Sequence, residues 1–158
     1  MSSTDVSGQT TGQAESALGV DMNLEVVTLP VADVDRSKAF YQSLGWRLDI
    51  DLVIGDQVRT VQFTPPHSGC SIQFGKGGTT AEPGSAQAMI LVVSDIDAAR
   101  EDLINRGVEV SEVQEMKPSG FDAPGRSYFA RASFSDPDGN AWQLQEITTR
   151  LPGREWED

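Results

Sequence analysis

Few residues in this sequence could do chemistry unaided. The single histidine, His67, sits in the turn Pro65-Pro66-His67-Ser68-Gly69, and the single cysteine, Cys70, follows directly. One imidazole cannot build a multi-histidine metal site, and as a general base it needs an orienting partner and a position in a cleft. His67 therefore reads as an exposed turn residue. Cys70 reads as a strand-edge packing residue, because no motif sets a cation or imidazole against it. A lone thiol also excludes an internal disulfide and any cysteine-based zinc cluster. No serine-centred elbow, P-loop or dinucleotide fingerprint is present; Gly75-Lys-Gly-Gly78 is a turn after a strand. No catalytic residue is assigned, though Glu146, His67 and Tyr128 are the groups that metal-free acid–base chemistry would have to use. What the sequence does offer is amides: Gln73, Gln143 and Gln145 all fall in short strand-like runs.

Those runs belong to a repeat. Val31-Ala-Asp-Val-Asp-Arg-Ser-Lys-Ala-Phe-Tyr-Gln-Ser-Leu-Gly-Trp46 aligns without gaps on Val93-Ser-Asp-Ile-Asp-Ala-Ala-Arg-Glu-Asp-Leu-Ile-Asn-Arg-Gly-Val108, at an offset of 62. Phe63-Thr-Pro-Pro with Gly69 and Gln73 echoes Phe134-Ser-Asp-Pro with Gly139 and Gln143. The second copy is longer, and its extra residues fall in the segment Gln114–Arg126. Such duplication fixes architecture before any site is considered. In each copy a Val-rich run, 24–31 or 89–93, predicts a strand. Asp33 or Asp95 then opens a helix by accepting from first-turn N–H groups. Ala39, Phe40 and Leu44, or Ile96, Ala99, Leu103 and Ile104, give its apolar face, and Gly45 or Gly107 ends it. Three short strands follow: 46–53, 58–63 and 71–74 in the first copy, 108–113, 127–134 and 141–147 in the second. Turn signals at Gly55-Asp56, Pro65-Pro66, Pro118, Pro124-Gly125 and Asp136-Pro-Asp-Gly139 separate them. The expected class is α+β: two tandem βαβββ modules, 22–80 and 84–147, forming a curved, partly open mixed β-sheet with helices outside and a concave inner cleft.

Composition bounds the partners. Of 158 residues, 12 are basic and 24 acidic, a net charge of −12. That disfavours a nucleic-acid backbone or an anionic membrane surface. The apolar runs, such as Met89 to Val93, are too short to span a bilayer. Residues 1–21 are Ser-, Thr-, Gly- and Gln-rich, and are expected to be disordered. They carry neither a basic start nor an apolar stretch of the export type, so a cytoplasmic location is expected. Residues 148–158 read as a loose tail in which Trp156 packs back on the body. Residues 22–76 are nearly neutral, at −1, whereas 77–147 carry −7. That field suits either plain solubility or a cationic ligand.

Strand alternation assigns faces. Val27, Leu29, Val31, Met89, Leu91, Val93, Trp142 and Leu144 should face the helices. The inner face is then left with Val26, Thr28 and Pro30; Ser71 and Gln73; Ala88, Ile90 and Val92; and Ala141, Gln143 and Gln145. Three glutamines on one inner face are unusual for a plain core, since a buried amide needs partners. Trp46, Tyr128 and Arg131 flank that face or its rim. The candidate ligand-binding set is therefore Thr28, Gln73, Ala88, Ile90, Gln143, Gln145, Trp46, Tyr128 and Arg131. The long segment 114–126 is either a lid over the cleft or an ordinary surface excursion.

The tandem modules, the V-[AS]-D-[VI]-D helix entries with Phe40-Tyr41, and the turn Asp136-Pro-Asp-Gly-Asn140 resemble the vicinal oxygen chelate superfamily. Its members include glyoxalase I, extradiol dioxygenases, fosfomycin-resistance transferases and bleomycin-binding proteins. The resemblance covers residues 22 to about 148 and implies the fold, but not one activity. It also implies a homodimer. In metal-dependent members the ligand positions would fall at Val26, Gln73, Ala88 and Gln143. Two of these lack any donor atom, and two are neutral amides that bring no charge. A shift of one residue would bring Glu25 and Gln87 forward, but would turn the apolar face outward. The expectation is a protein with no metal or other cofactor that binds a small organic molecule, cationic or aromatic. The alternatives are a lyase, isomerase or dioxygenase of the same superfamily, or a metal-free interaction module.

Overall fold

A computed structural model describes residues 19–120 and 124–155. The first module runs β1 (Val26–Thr28), α1 (Val34–Ser43), β2 (Arg47–Ile54), β3 (Val58–Thr64) and β4 (Ser71–Lys76). The second runs β5 (Met89–Val93), α2 (Ile96–Asn105), β6 (Gln114–Glu115), β7 (Ala130–Ser135) and β8 (Ala141–Glu146). Each builds a four-stranded mixed sheet, ordered β1-β4-β3-β2 and β5-β8-β7-β6, with β1–β4 and β5–β8 parallel. The fold is α+β with two βαβββ modules, as the repeat requires. The two sheets are separate ladders rather than one hydrogen-bonded sheet.

Local chemistry explains the helices. Asp33 accepts from the Arg36 N–H and Asp95 from the Ala98 N–H, which satisfies a first-turn donor in each. Gly45 and Gly107 follow the caps at φ of 80° and 89°, where a side chain would be strained. The inward stripe of α1 keeps Leu44, with Phe40 half-buried against the core, but does not include the expected Ala39. It is Ser37, Tyr41 and Leu44, with Ala39 exposed, because the Tyr41 hydroxyl finds partners inside. In α2, Ile96 and Leu103 are buried as expected, while Ile104 is exposed.

Two strands of the second module differ from expectation. Residues 108–113 do not form a strand, and the short β6 starts only at Gln114. Ser111 donates its N–H to the Ser133 carbonyl, but its hydroxyl, rather than a backbone oxygen, takes the Ser133 N–H. A side chain has replaced the ladder at that point. The third strand begins at Ala130 rather than Ser127, because Tyr128 sits at φ 72° and breaks the extended run. Residues 114–126 thus open with β6. Residues 121–123 of that segment, residues 1–18 of the tail and Trp156 lie outside the described residues.

The core is shared between modules. Tyr41 and Trp46 pack against Trp142 of β8 at ring separations of 6.2 and 5.2 Å. The Tyr41 hydroxyl donates to Asp136 Oδ2 at 2.9 Å and accepts from Trp142 Nε1 at 3.0 Å. Burial, then the charge of Asp136, pushes the Tyr41 pKa far above its ordinary value, so the phenol stays protonated. The Asp136-Pro-Asp-Gly-Asn140 turn completes the junction. Asn140, fully buried, donates to Asp136 and to the Pro30 carbonyl, and accepts from the Ala86 N–H. Asp138 takes the Ala32 N–H and the Arg36 guanidinium. Here the chains approach so closely that a Cβ on Gly84 would meet the Asp138 carbonyl oxygen at 2.0 Å.

Candidate functional site in the second-module cleft

The register settles which side chains share the open faces. Val26 pairs with Ser71 and Thr28 with Gln73, so those four lie together, and Gln73 Nε2 donates to Thr28 Oγ1 at 3.0 Å. Ile90 pairs with Gln143 and Val92 with Gln145 across β5–β8. Arg131, Ser133 and Ser135 of β7 sit opposite Gln145, Gln143 and Ala141. Strand alternation therefore groups these residues as expected, but Val27, expected against the helices, is exposed and borders the same groove as Ile90. Glu25 precedes β1 and Gln87 precedes β5, both exposed, so the register has not slipped by one.

The faces differ in shape. The first-module face holds Thr28 and Gln73 beside a depression of only about 20 Å³. The second-module face holds two large clefts, about 660 and 630 Å³, that meet at Ser133 and Gln143. The larger is walled by Met116, Pro118, Tyr128, Phe129 and Leu151, with Arg131, Gln143 and Gln145 on its floor. Ala88, at φ 59°, lines the smaller one. Ile90 shares the face by register but borders a different, apolar groove against β1 and Cys70. Trp46 stands apart from the other candidates, 8% exposed in the core against Tyr41 and Trp142. Of the nine candidates, Ala88, Gln143, Gln145, Tyr128 and Arg131 converge on the joined clefts, whereas Thr28 and Gln73 lie on the other module's face. Among these four clefts, only the apolar groove beside Ile90 also takes in a residue of the first-module face, Ser71.

Each glutamine finds a partner on its own face, as buried amides must. Gln143 Oε1 accepts from Arg131 at 3.1 Å, and Gln145 Nε2 donates to the Tyr128 carbonyl at 2.9 Å. Tyr128 is held in its strained conformation from both sides. Its N–H reaches the Glu146 carbonyl at 2.7 Å, and its hydroxyl accepts from the Leu151 N–H. A bulky residue at positive φ costs about 1–3 kcal/mol and persists only where neighbours over-determine it. Ser127 assists by bonding the Thr148 and Thr149 N–H groups and the Thr149 carbonyl. The segment after β8 is thereby pinned across the cleft, which sequence reading missed. Leu151 lies beyond the repeat, and no periodic signal could have placed it.

The acid–base candidates are placed elsewhere, Tyr128 excepted. Glu146, buried, accepts from the Ile96 N–H at the start of α2 and from Arg126. Arg126 also reaches Asp97 and Glu115; these carboxylates, Asp97 first, hold its pKa above the ordinary arginine value. His67 is exposed, at φ 62° in its turn. Among the described residues no three His, Cys, Asp or Glu side chains come together as ion ligands. The positions assigned by resemblance, Val26, Gln73, Ala88 and Gln143, do not fit such an ion. No helix among the described residues is long and apolar enough to cross a membrane.

Known proteins share this fold. A family model described as Glyoxalase/Bleomycin resistance protein/Dioxygenase superfamily matches residues 23–144. TnmS3, an antibiotic binding protein from Streptomyces sp. CB03234, is 28% identical, with a TM-score of 0.65 over 82% of this chain and 99% of its own. A glyoxalase/bleomycin resistance protein from the same organism is 30% identical, with a TM-score of 0.61 over 78% and 99%. A superfamily member from Sphaerobacter thermophilus DSM 20745 is 28% identical, with a TM-score of 0.64 over 80% and 98%. No match was found among curated protein sequences. The matched span takes in both modules and the Asp136–Asn140 turn that joins them, and the chain belongs to the glyoxalase/bleomycin resistance protein/dioxygenase superfamily.

Proposed function

We propose that this protein binds a small organic molecule on the concave face of its second module, without a catalytic metal. The observation that carries the reading is the cleft of about 660 Å³. It combines apolar walls with a few convergent polar groups, which is the usual make-up of a ligand site. The donor set at the expected ion positions is neutral or absent, which supports binding over metal-assisted chemistry. The likeness to TnmS3, an antibiotic binding protein, supports a small organic ligand. A single half-buried thiol is consistent with a cytoplasmic setting.

Exposed apolar residues of the first module support pairing with a second copy. Ile50, Leu52, Ile54 and Val58 of the first module are exposed, and by register Ile50 and Leu52 share the face of Gln62 and Thr60. Exposed apolar surface of this kind marks an interaction site. A two-fold dimer would lay that face over the partner's open cleft. Titration calorimetry with a panel of aromatic natural products, alongside light scattering and elemental analysis, tests the whole reading. One saturable site per chain, a dimeric mass and no stoichiometric metal are expected. Uniformly absent heats would remove the binding reading, and a stoichiometric transition metal would remove its metal-free part.

A further inference from the structure

The net charge of −12 suggests a cationic ligand, but the groups that line the cleft argue the opposite. Acids outnumber bases two to one in this chain, and half of the described basic side chains are neutralised by a carboxylate. Arg36 pairs with Asp138, Lys38 and Arg59 with Asp51, Arg47 with Asp49, Arg106 with Asp102, and Arg126 with three carboxylates. Arg131 is not among these, and it is the basic side chain in the lining of the larger cleft. Among the described residues it makes no ion pair, and its single hydrogen bond goes to the neutral amide of Gln143. Among the described residues no carboxylate lines the larger cleft, while Glu109 and Asp136 border the smaller one. Gln143 orients the guanidinium without cancelling its charge, which leaves most of its five N–H donors for something else. The rest of the lining is apolar or neutral: Met116, Pro118, Phe129 and Leu151 around Ser133 and the amides.

From this we infer that the ligand of the second-module cleft is an organic anion, an apolar body bearing a negatively charged oxygen, and that Arg131 is the residue that selects it. The inference rests on the cleft being the binding site. The overall negative charge does not oppose it. Exposed acids more than about 8–10 Å away are screened at physiological salt, whereas a charge in the cleft wall acts at contact distance. Guanidinium suits this task because its planar fork matches oxyanion geometry.

Three fluorescent probes separate the outcomes: 8-anilinonaphthalene-1-sulfonate as the anion, N-phenyl-1-naphthylamine as a similar body without charge, and thioflavin T as a cation. The full chain is titrated with each, and then the variant Arg131→Gln, whose exposed side chain can change without disturbing the core. The anion should bind at one site per chain, at least about tenfold tighter than the neutral probe, and weaken with added salt. Arg131→Gln should lose about tenfold for the anion and stay within about twofold for the neutral probe, with an unchanged melting temperature. Tighter binding of thioflavin T, or an anion affinity that ignores Arg131→Gln, overturns the inference while leaving the cleft in place. Absence of saturable binding by all three removes the cleft reading and the inference together.

Discussion

Tyr41→Phe removes one oxygen atom from the contact that joins the modules. That oxygen donates to Asp136 and accepts from Trp142 Nε1. Asp136 keeps its other donors, the Asp138 and Asn140 N–H groups and Asn140 Nδ2, so its loss lies at the low end for a charged partner. The Trp142 N–H is left without its acceptor in a residue only 4% exposed. An unsatisfied buried donor costs about 1–3 kcal/mol, and a bond to a charged group contributes about 1.5–3. Together they predict a loss of about 2–3 kcal/mol, or about 4–12 °C in melting temperature for a domain of this size. Urea denaturation followed by far-UV circular dichroism measures it, with the midpoint falling and the slope unchanged. A double-mutant cycle with Trp142→Phe isolates the pair. A coupling energy indistinguishable from zero would refute the reasoning. The pH dependence gives a second signature. The Tyr41 pKa is raised in the folded state, so its contribution is complete below about pH 10 and is lost as pH rises above it. The gap between wild type and Tyr41→Phe should narrow there, by up to about 1.4 kcal/mol per pH unit.

Three other perturbations test separate parts of the structure. Asn140→Ala strips three hydrogen bonds from a fully buried site and should cost about 3 kcal/mol in the same urea assay. Asp51 is held well below the usual carboxylate range by hydrogen bonds from Arg59 and then Lys38. Its contribution is present above about pH 4 and is lost as pH falls, so Asp51→Asn should flatten the acid limb of the stability profile. Leu151→Ser should weaken an apolar probe about three- to tenfold while moving the melting temperature little, because Leu151 is half-exposed on the cleft wall.

The duplicated ladders were legible because their signals are local and redundant. Both aspartate caps, both terminating glycines, and the inward positions of Val26, Thr28, Ile90 and Gln143 follow from spacing alone, and the structure agrees. What escaped is what depends on a distant partner. The inward turn of Tyr41 is decided by Asp136 and Trp142, which lie 95 and 101 residues away. Trp46 faces the core for the same reason. Alternation could not place Tyr128, whose positive φ resets the register, nor recruit Leu151 to the cleft.

The copies share a sheet but not a site, and one strand accounts for the difference. In the first module β2 runs eight residues along β3, and the face beside it holds a depression of only about 20 Å³. In the second module the equivalent run, 108–113, makes no ladder, because Ser111 meets the Ser133 N–H with its hydroxyl. Only the two residues of β6 pair with β7. The larger cleft is bordered by Ser111, Gln114, Met116 and Pro118, the chain that would otherwise have covered it. The smaller cleft is bordered by Val108 and Glu109 of the same run. A full second strand and a large cleft are therefore alternatives on this face. The larger cleft lies where the second module lacks that strand, and the tail held by Tyr128 supplies part of its wall through Leu151.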